Sequence, residues 1–178
     1  MIRFVLTIAA FLCAALYAGM PAHGEVVSSA PNGFVSRHVV TVPMTPEAAY
    51  DRFVRVQDWW DGAHTYSHNA ANLRLTARPG GGWIERLDGG GFVEHMRVIY
   101  AQRGKALRLD GGLGPLQQIP ARSVMSVTFA VDGANTKVTV EYATGGYFAD
   151  GTAQIAPGVD FVLGQAMTRY AQPPAPRR

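Results

Sequence analysis

The sequence predicts an α+β fold in which a curved antiparallel β-sheet wraps around a long C-terminal helix, with short helices after the first strand. Two patterns carry this prediction. From Trp83 to Tyr142, apolar and polar residues alternate with period two between turn signals, as in strands with one buried and one solvated face. From Val159 to Tyr170, apolar residues recur at spacings i, i+3, i+4 and i+7, as on one face of an amphipathic helix. Each element exposes an apolar face that the other can cover.

The first elements follow from local signals. The segment Phe34–Val42 is rich in β-branched residues and ends at a proline, which indicates a strand. Thr45, Pro46 and Glu47 then give a capping residue, a proline at the first helical position and an early acid. A short helix is therefore expected to follow and to continue loosely toward Trp59 and Trp60.

The strands after this helix are separated by glycine-rich turns. Asp88 to Gly91 supplies the turn of a hairpin whose two strands contain Glu85 and Glu94. If that turn has an even length, both glutamates share the face of Trp83 and point inward. The later strands show the same alternation at Leu107, Leu109, Met125, Val127, Phe129, Val131, Val138, Val140 and Tyr142.

The termini predict export. Arg3 precedes an apolar stretch from Phe4 to Met20, and small residues, Ala22 and Gly24, stand at positions −3 and −1 of a cleavage site after Gly24. We therefore expect a signal peptide at 1–24, a flexible N-terminal segment at 25–33, one domain at 34–171 and a disordered Pro/Arg tail at 172–178. The protein is expected to be periplasmic or extracellular, without stable membrane insertion after cleavage.

Composition excludes several classes of function. The sequence carries a net charge of +3, but removing Arg3, Arg177 and Arg178 leaves 13 basic and 13 acidic residues. A neutral body lacks the bulk positive charge of a nucleic-acid binder. The one cysteine, Cys13, falls in the predicted signal. The mature protein then has no disulfide, thiolate nucleophile or cysteine-bound metal.

Particular segments resemble the START-like, or Bet v 1-like (SRPBCC), superfamily, which has a helix-grip fold. Val40 to Tyr50 looks like its first strand, proline and short helix, and Asp58-Trp59-Trp60 looks like its tryptophan-containing helix end. Arg78 to Glu85 is similar to the Pro-Gly-Gly-x-Trp segment of the polyketide cyclase/dehydrase and heat-shock-protein-90 ATPase activator homologue branches. Gly111 to Gln117 resembles bacterial members. The resemblance covers Phe34 to about Tyr170 and implies an internal apolar cavity. It implies little about function, because members include carriers, receptors and enzymes.

The residues expected to contact a ligand in that cavity are mostly aromatic or apolar. We expect Glu85, Glu94 and Tyr142 to be polar anchors there. The expected lining residues are Trp59, Trp60, Trp83, Met96, Phe129, Tyr142, Phe161 and Met167.

Glu85 and Glu94 are also the candidates for catalysis. Two carboxylates close together in an apolar cavity resist ionisation, so at least one pKa is expected to rise, as in a general acid or base. In the alternative interpretation both lie near the hairpin tip, solvated or paired with Arg86 or Arg97.

The histidines predict no metal site. His64 and His68, with Asp61, have a spacing seen on metal-binding helices, but Gly62 and the polar run after it indicate a loop. Solvated histidines are therefore expected there. His38 is expected to be interior, and His95 to lie on the outer face with Arg97. No metal or cofactor is predicted.

The leading hypothesis is a non-enzymatic module that binds a small hydrophobic ligand, such as a lipid, an aromatic or a polyketide-like molecule. One alternative is a cyclase, dehydratase or isomerase that uses the same cavity, with Glu85 or Glu94 as acid or base. Another is a protein-interaction domain that uses an exposed Trp59–Trp60 surface. The sequence does not determine the oligomeric state.

Overall fold

The structure, a computed structural model, describes residues 23–173. Eight strands form one sheet. One α-helix follows the second strand, a longer α-helix is the last element, and short 3-10 turns connect several of the others. The strands are β1 (His23–Ala30), β2 (Gly33–Val42), β3 (Leu73–Leu75), β4 (Gly82–Arg86), β5 (Phe92–Gln102), β6 (Ala106–Gly111), β7 (Ala121–Asp132) and β8 (Asn135–Gly146), and the helices are α1 (Pro46–Val54) and α2 (Ile155–Ala171).

The predicted α+β architecture is confirmed. All neighbouring strands are antiparallel, in the order β1-β2-β8-β7-β6-β5-β4-β3. α2 packs on the sheet, mainly against β1 and β2. Register shifts between Val26 and Ser28, within β4–β5 and within β5–β6 mark bulges. Bulges bend a strand and help a sheet to curl around a helix.

The N-terminal part of the described chain corrects one prediction. The segment 25–33, expected to be flexible, belongs largely to β1, because a turn at Pro31 and Asn32 folds it back to pair with β2 along the edge of the sheet. Within this hairpin Gly24 pairs with His38. The predicted processing point after Gly24 therefore lies inside β1. Residues 1–22 of the predicted signal and 174–178 of the predicted tail lie outside the described residues.

Helix α1 begins as its sequence predicts and is tied to the end of α2. The Thr45 hydroxyl accepts a hydrogen bond from the Ala48 N–H at 3.3 Å, and Pro46 occupies the first helical position. Buried Arg52 donates to the carbonyls of Tyr170 at 2.8 Å and Gln172 at 2.6 Å. A cation placed there satisfies carbonyls that the last turn of a helix leaves free.

The core lies between α1, α2 and the inward face of the sheet. It contains the alternating residues that the sequence indicates, except Val131, which is exposed; Leu107, Leu109, Val127, Val138 and Tyr142 are all at most 1% exposed. Between residues 23 and 173 no helix combines the length and apolar character needed to span a bilayer.

Candidate functional site

A cavity of about 600 Å³ lies between the N-terminal half of α2, the loop 60–66, the 113–118 segment and the strands β3 to β5. Its buried wall consists of Trp60, Thr65, Leu73, Trp83, His95, Leu113 and Leu163. Its exposed rim consists of Ala63, His64, Tyr66, Pro115, Gln118, Gln154 and Gly158. Because the rim residues are solvent-exposed, the cavity opens between these two loops and the start of α2.

Two tryptophans form the aromatic part of the wall. The Trp60 and Trp83 rings pack edge to face, with centroids 4.9 Å apart at 88°. The Trp60 indole N–H donates to the His64 carbonyl at 3.0 Å, which holds the loop 60–66 in its folded shape. This geometry fixes one side of the cavity before any ligand is present.

Trp59 faces the opposite way, into the core. Its ring packs against Phe53 and Tyr170, and its N–H donates to the carbonyls of Arg52 and Phe53 at 3.2 Å. Trp59 is 3% and Trp60 is 7% exposed. The alternative of a protein-interaction domain with an exposed Trp59–Trp60 surface is therefore wrong, since both rings are buried.

Of the eight residues expected to line the cavity, only Trp60 and Trp83 do so. Phe161 lies 61% exposed on the outer side of α2, because the neighbouring positions Val162 and Leu163 are the ones that turn inward. The other five are buried in the core without lining the cavity: Trp59, Met96, Phe129, Tyr142 and Met167.

Tyr142, an expected polar anchor, supports the wall from behind. Its hydroxyl accepts a hydrogen bond from the Leu113 N–H at 3.1 Å, which fixes the start of the 113–118 segment. Burial raises the pKa of Tyr142, although its bonds to Ser123 and Leu113 oppose this rise. The hydroxyl therefore stays neutral and acts as a structural partner of Leu113.

The hairpin turn and a bulge in β5 together change the expected positions of Glu94 and His95. Arg86 pairs with Phe92, so the turn spans the five residues 87–91, and Glu85 pairs with Val93. This odd length places Glu94 on the face opposite Glu85 and His95 on the same face. Trp83 pairs with Met96, whereas the next residue, Ile84, pairs with Glu94, so His95 is the extra residue. His95 and Met96 are consequently both buried, at 6% and 1% exposure. Glu94 points outward and pairs with Arg97. The predictions of an inward Glu94 and an outward His95 are wrong because the turn has an odd length, and the bulge at His95 then keeps Met96 on the inner face as well.

Glu85 does point inward, where it is fully buried and bonded at both oxygens. One oxygen accepts from the Ser67 N–H at 2.5 Å and the other lies 3.0 Å from His95 Nε2. Burial alone raises the pKa of Glu85, but hydrogen bonds from Ser67, the Tyr66 backbone and His95 together outweigh it and lower that pKa. The expected rise in pKa is wrong for Glu85, because these donors stabilise its charged form.

His95 completes a carboxylate–imidazole pair at the cavity wall. Burial lowers its pKa, and its bond to Glu85 only partly opposes this effect, so the ring is neutral at pH 7. An ionised carboxylate only accepts hydrogen bonds, so Nε2 carries the ring hydrogen and Nδ1 keeps its lone pair. Nδ1 is buried and has no hydrogen-bond partner in the described part of the chain. The pair thus has the composition of an oriented base.

A second buried histidine lies outside the cavity, beneath α2. His38 is interior, as predicted, and its Nε2 lies 2.9 Å from Ser36 Oγ and 3.1 Å from Asp160 Oδ1. Burial lowers the pKa of His38 more than Asp160 raises it. Gly24 and Gly164 flank the ring: a Cβ on Gly24 would lie 1.8 Å from His38 Nδ1, and one on Gly164 would lie 3.4 Å from Cε1.

Asp61, His64 and His68, which have a spacing seen on metal-binding helices, make other contacts or lie at the surface. Asp61 caps the turn at Gly62 by accepting from the Ala63 N–H at 2.9 Å, and it forms an ion pair with Arg169. His64 lies on the cavity rim and His68 is exposed. No group of three or more His, Cys, Asp or Glu side chains suited to a metal occurs among residues 23–173.

Sequence reasoning missed His95 and most of the rim, including Tyr66, Gln118, Gln154 and Gly158. One signal for the bulge is present in the sequence, at Gly111. A Cβ there would lie 2.4 Å from the His95 carbonyl oxygen, and the Gly112 N–H donates to the same oxygen at 2.9 Å. The glycine pair permits this close approach of two backbones. The rim residues carry no comparable signal.

Comparison with known proteins yields structural matches only. No protein-family model matches the chain, and no curated protein matches it in sequence. Among solved structures, protein Ms6760 from Mycobacterium smegmatis matches with 14% identity and a TM-score of 0.57, covering 89% of this chain and all of that one. CalU16 from Micromonospora echinospora matches with 11% identity and a TM-score of 0.55, covering 86% and 82%. Ara h 8.0201 matches with 10% identity and a TM-score of 0.54, covering 78% and 95%.

At these identities the matches concern the fold. They extend over most of both chains, and they agree with the eight-stranded antiparallel sheet, the short helix α1 after β2 and the long C-terminal helix α2. The chain therefore has an α+β, helix-grip-like fold similar to that of these structures.

Proposed function

We propose that the protein binds a small hydrophobic molecule in the cavity between α2 and the sheet. The observation that carries this proposal is the cavity itself, whose volume of about 600 Å³ and largely apolar wall suit a drug-sized ligand. A lipid, an aromatic or a polyketide-like molecule has this size and polarity. The tryptophans Trp60 and Trp83 offer flat surfaces that favour an aromatic or polycyclic body.

The fold supports the general class of ligand. The helix-grip fold generally implies a cavity for a hydrophobic ligand, and the cavity here lies between the sheet and the long helix. The resemblance of Arg78 to Glu85 to the polyketide cyclase/dehydrase and heat-shock-protein-90 activator branches is our reason to include polyketide-like ligands.

The test is a binding titration with a pair of variants at Gly158. This residue lies on the rim within α2, and a Cβ added there would meet no atom within 4 Å. Gly158→Trp should fill the cavity without a clash at Cβ, whereas Gly158→Ala leaves it open. The probe is N-phenyl-1-naphthylamine, an uncharged molecule that becomes fluorescent in apolar surroundings.

We expect the wild type and Gly158→Ala to bind the probe, and Gly158→Trp to lose at least about tenfold in affinity. Native mass spectrometry and solvent extraction of the purified protein should identify any molecule that it already carries. Equal probe binding by all three proteins would place the site elsewhere and refute the proposal. Because alanine and tryptophan both form helices better than glycine does, neither variant is expected to unfold α2.

The Glu85–His95 pair favours an enzyme as a second candidate. In an isomerase, His95 Nδ1 would take a proton from a carbon next to a carbonyl, giving an enolate and an imidazolium, and would return that proton to another carbon of the conjugated system. This assigns the base to His95, with Glu85 as the residue that positions it. Turnover of β,γ-unsaturated ketones that is lost in His95→Gln, while naphthylamine binding persists, would support this candidate. No turnover of such ketones by the wild type would count against it.

We also propose that the protein is exported through the segment 1–24. A fusion of residues 1–30 to alkaline phosphatase, an enzyme active only outside the cytoplasm, should be active. Deleting the apolar stretch Phe4–Met20 should abolish that activity. N-terminal analysis of the secreted protein should give Glu25 as the first residue. Equal phosphatase activity with and without the apolar stretch would refute the proposal.

A further inference from the structure

We infer that the cavity selects uncharged ligands, with an apolar body inside and a neutral hydrogen-bonding group at the rim. This inference deepens the proposed function and rests on it. Its basis is the distribution of charge around the cavity, which can be followed from the wall outward.

The cavity wall and rim contain no acidic side chain and no lysine or arginine. Among the residues of the described chain that line it, none is a lysine, arginine, aspartate or glutamate. Its titratable members are two histidines, His95 in the wall and His64 on the rim, and Tyr66. An ionised ligand group that leaves water here would find no counter-ion, and burying an unpaired charge is costly.

The charge closest behind the wall is negative and already occupied. Glu85 lies behind His95, and both of its oxygens are engaged, one by the Ser67 N–H and one by the imidazole. A ligand carboxylate or phosphate in the cavity would meet this negative field without compensation. A ligand cation is attracted by the same field but cannot contact the carboxylate, which is fully buried and does not line the cavity, so no ion pair offsets the loss of its hydration.

Charged residues farther out are neutralised in pairs. Asp61 forms an ion pair with Arg169, and Glu94 forms one with Arg97. None of these four side chains lines the cavity. The rim therefore offers neither sign of charge in excess.

The polar groups that the rim does offer are neutral amides. Gln118 and Gln154 are exposed rim residues, and neither side chain forms a hydrogen bond to another residue of the described chain. An amide both donates and accepts, so it suits a ligand hydroxyl, carbonyl or amide. In contrast, the polar groups of Trp60, Thr65 and Tyr66 are bonded within the protein.

The experiment compares three molecules that share one ten-carbon chain: 1-decanol, decanoate and decylammonium. Each competes with bound N-phenyl-1-naphthylamine at about pH 8, where histidines of ordinary pKa are neutral and both ions stay charged. We expect decanol to bind about tenfold or more tightly than either ion. Equal or tighter binding of decanoate or decylammonium would overturn the inference.

A variant that introduces a positive charge at the rim sharpens the test. Gln118→Lys places a cation on the exposed rim, so decanoate should gain affinity relative to decanol. Val131→Lys is the matched control, because Val131 is 73% exposed and does not line the cavity. The inference also fails if both variants change the ratio of decanoate affinity to decanol affinity equally. It fails as well if Gly158→Trp shows that naphthylamine binds in the cavity but decanol does not displace it from the wild type. Absence of naphthylamine binding to the wild type would refute the proposed function itself.

Discussion

Residues 23–173 contain two buried histidine–carboxylate pairs, and they are built in opposite ways. In Glu85–His95 the carboxylate is the fully buried partner, fixed by a loop N–H, and the imidazole contributes to the cavity wall. In His38–Asp160 the imidazole is the buried partner, and the carboxylate is 21% exposed beside a surface groove. In each pair the less buried group faces the neighbouring cavity or groove: the imidazole in Glu85–His95 and the carboxylate in His38–Asp160.

The surroundings of the two rings differ accordingly. His38 is wedged between Gly24 and Gly164, with no room for a Cβ on the Gly24 side. His95 borders a cavity that can admit a small molecule. We interpret His38–Asp160 as a packing element that holds α2 on β1 and β2, and Glu85–His95 as part of the proposed ligand site.

The largest effect should come from Glu85. Glu85→Ala removes the acceptor of the Ser67 N–H and of His95, so we expect the free energy of unfolding to fall by about 3–5 kcal/mol. Glu94→Ala is the matched control: its pair with Arg97 is solvent-exposed and should contribute little to stability. Urea unfolding measures both. Similar losses of unfolding free energy in the two variants would mean that the buried Glu85–His95 pair stabilises the fold no more than the exposed Glu94–Arg97 pair does.

A smaller effect, with opposite signs, should come from the two glycines around His38. In protein produced without export, which retains Gly24, Gly24→Ala brings a Cβ into the imidazole and should cost about 1–3 kcal/mol. Gly164→Ala makes only a 3.4 Å contact and lies inside α2, so it should stabilise by up to about 1 kcal/mol. Thermal unfolding of both variants tests this contrast. A stable Gly24→Ala protein would show that β1 does not press on His38.

The smallest effect should be on the pH dependence of stability. The pKa values of His38 and His95 are lowered from 6.5, mainly by burial, so the unfolded chain takes up these protons first as the pH falls. Stability should therefore decrease from about pH 7 to about pH 5, and the lowered pKa of Glu85 adds to this loss at lower pH.

Two variants separate the contributions of the two histidines to the slope of unfolding free energy against pH. His38→Gln and His95→Gln should each make the unfolding free energy less dependent on pH over that interval. If neither variant flattens the slope, these two histidines do not control it. Urea unfolding at several pH values, with each variant compared with the wild type, gives the answer.

Much of the fold could be predicted from the sequence because it depends on repeated local signals. The alternation through Val127 and Val140 identifies strands, and the capping residues Thr45 and Pro46 identify the start of α1. The strand β1 was missed, since its sequence, with serines and a glycine, has weak strand character. Its pairing comes from the β1–β2 hairpin and the free edge of β2.

The site was harder to predict because its position depends on tertiary geometry. The inward direction of Glu85 follows from alternation, but the odd length of the 87–91 turn reverses the directions of Glu94 and His95, and the extra residue in β5 returns Met96 to the inner face. Periodicity identifies the apolar face of α2 without showing which end leaves space beneath it. The cavity lies under the N-terminal half, at Ile155, Val159 and Val162, whereas Met167 fills the core near the other end.

The hydrogen bond from the Tyr66 hydroxyl to the Gly114 carbonyl, 3.1 Å long, joins two rim segments that belong to no strand ladder. Breaking it exposes the entrance without disturbing any pairing in the sheet. In the proposed binding site, these two segments should govern how fast a ligand enters and leaves, and the wall beneath them should govern how tightly it is held. Residence time and affinity can therefore change independently, and substitutions at Tyr66 should act on the first while leaving the second nearly constant.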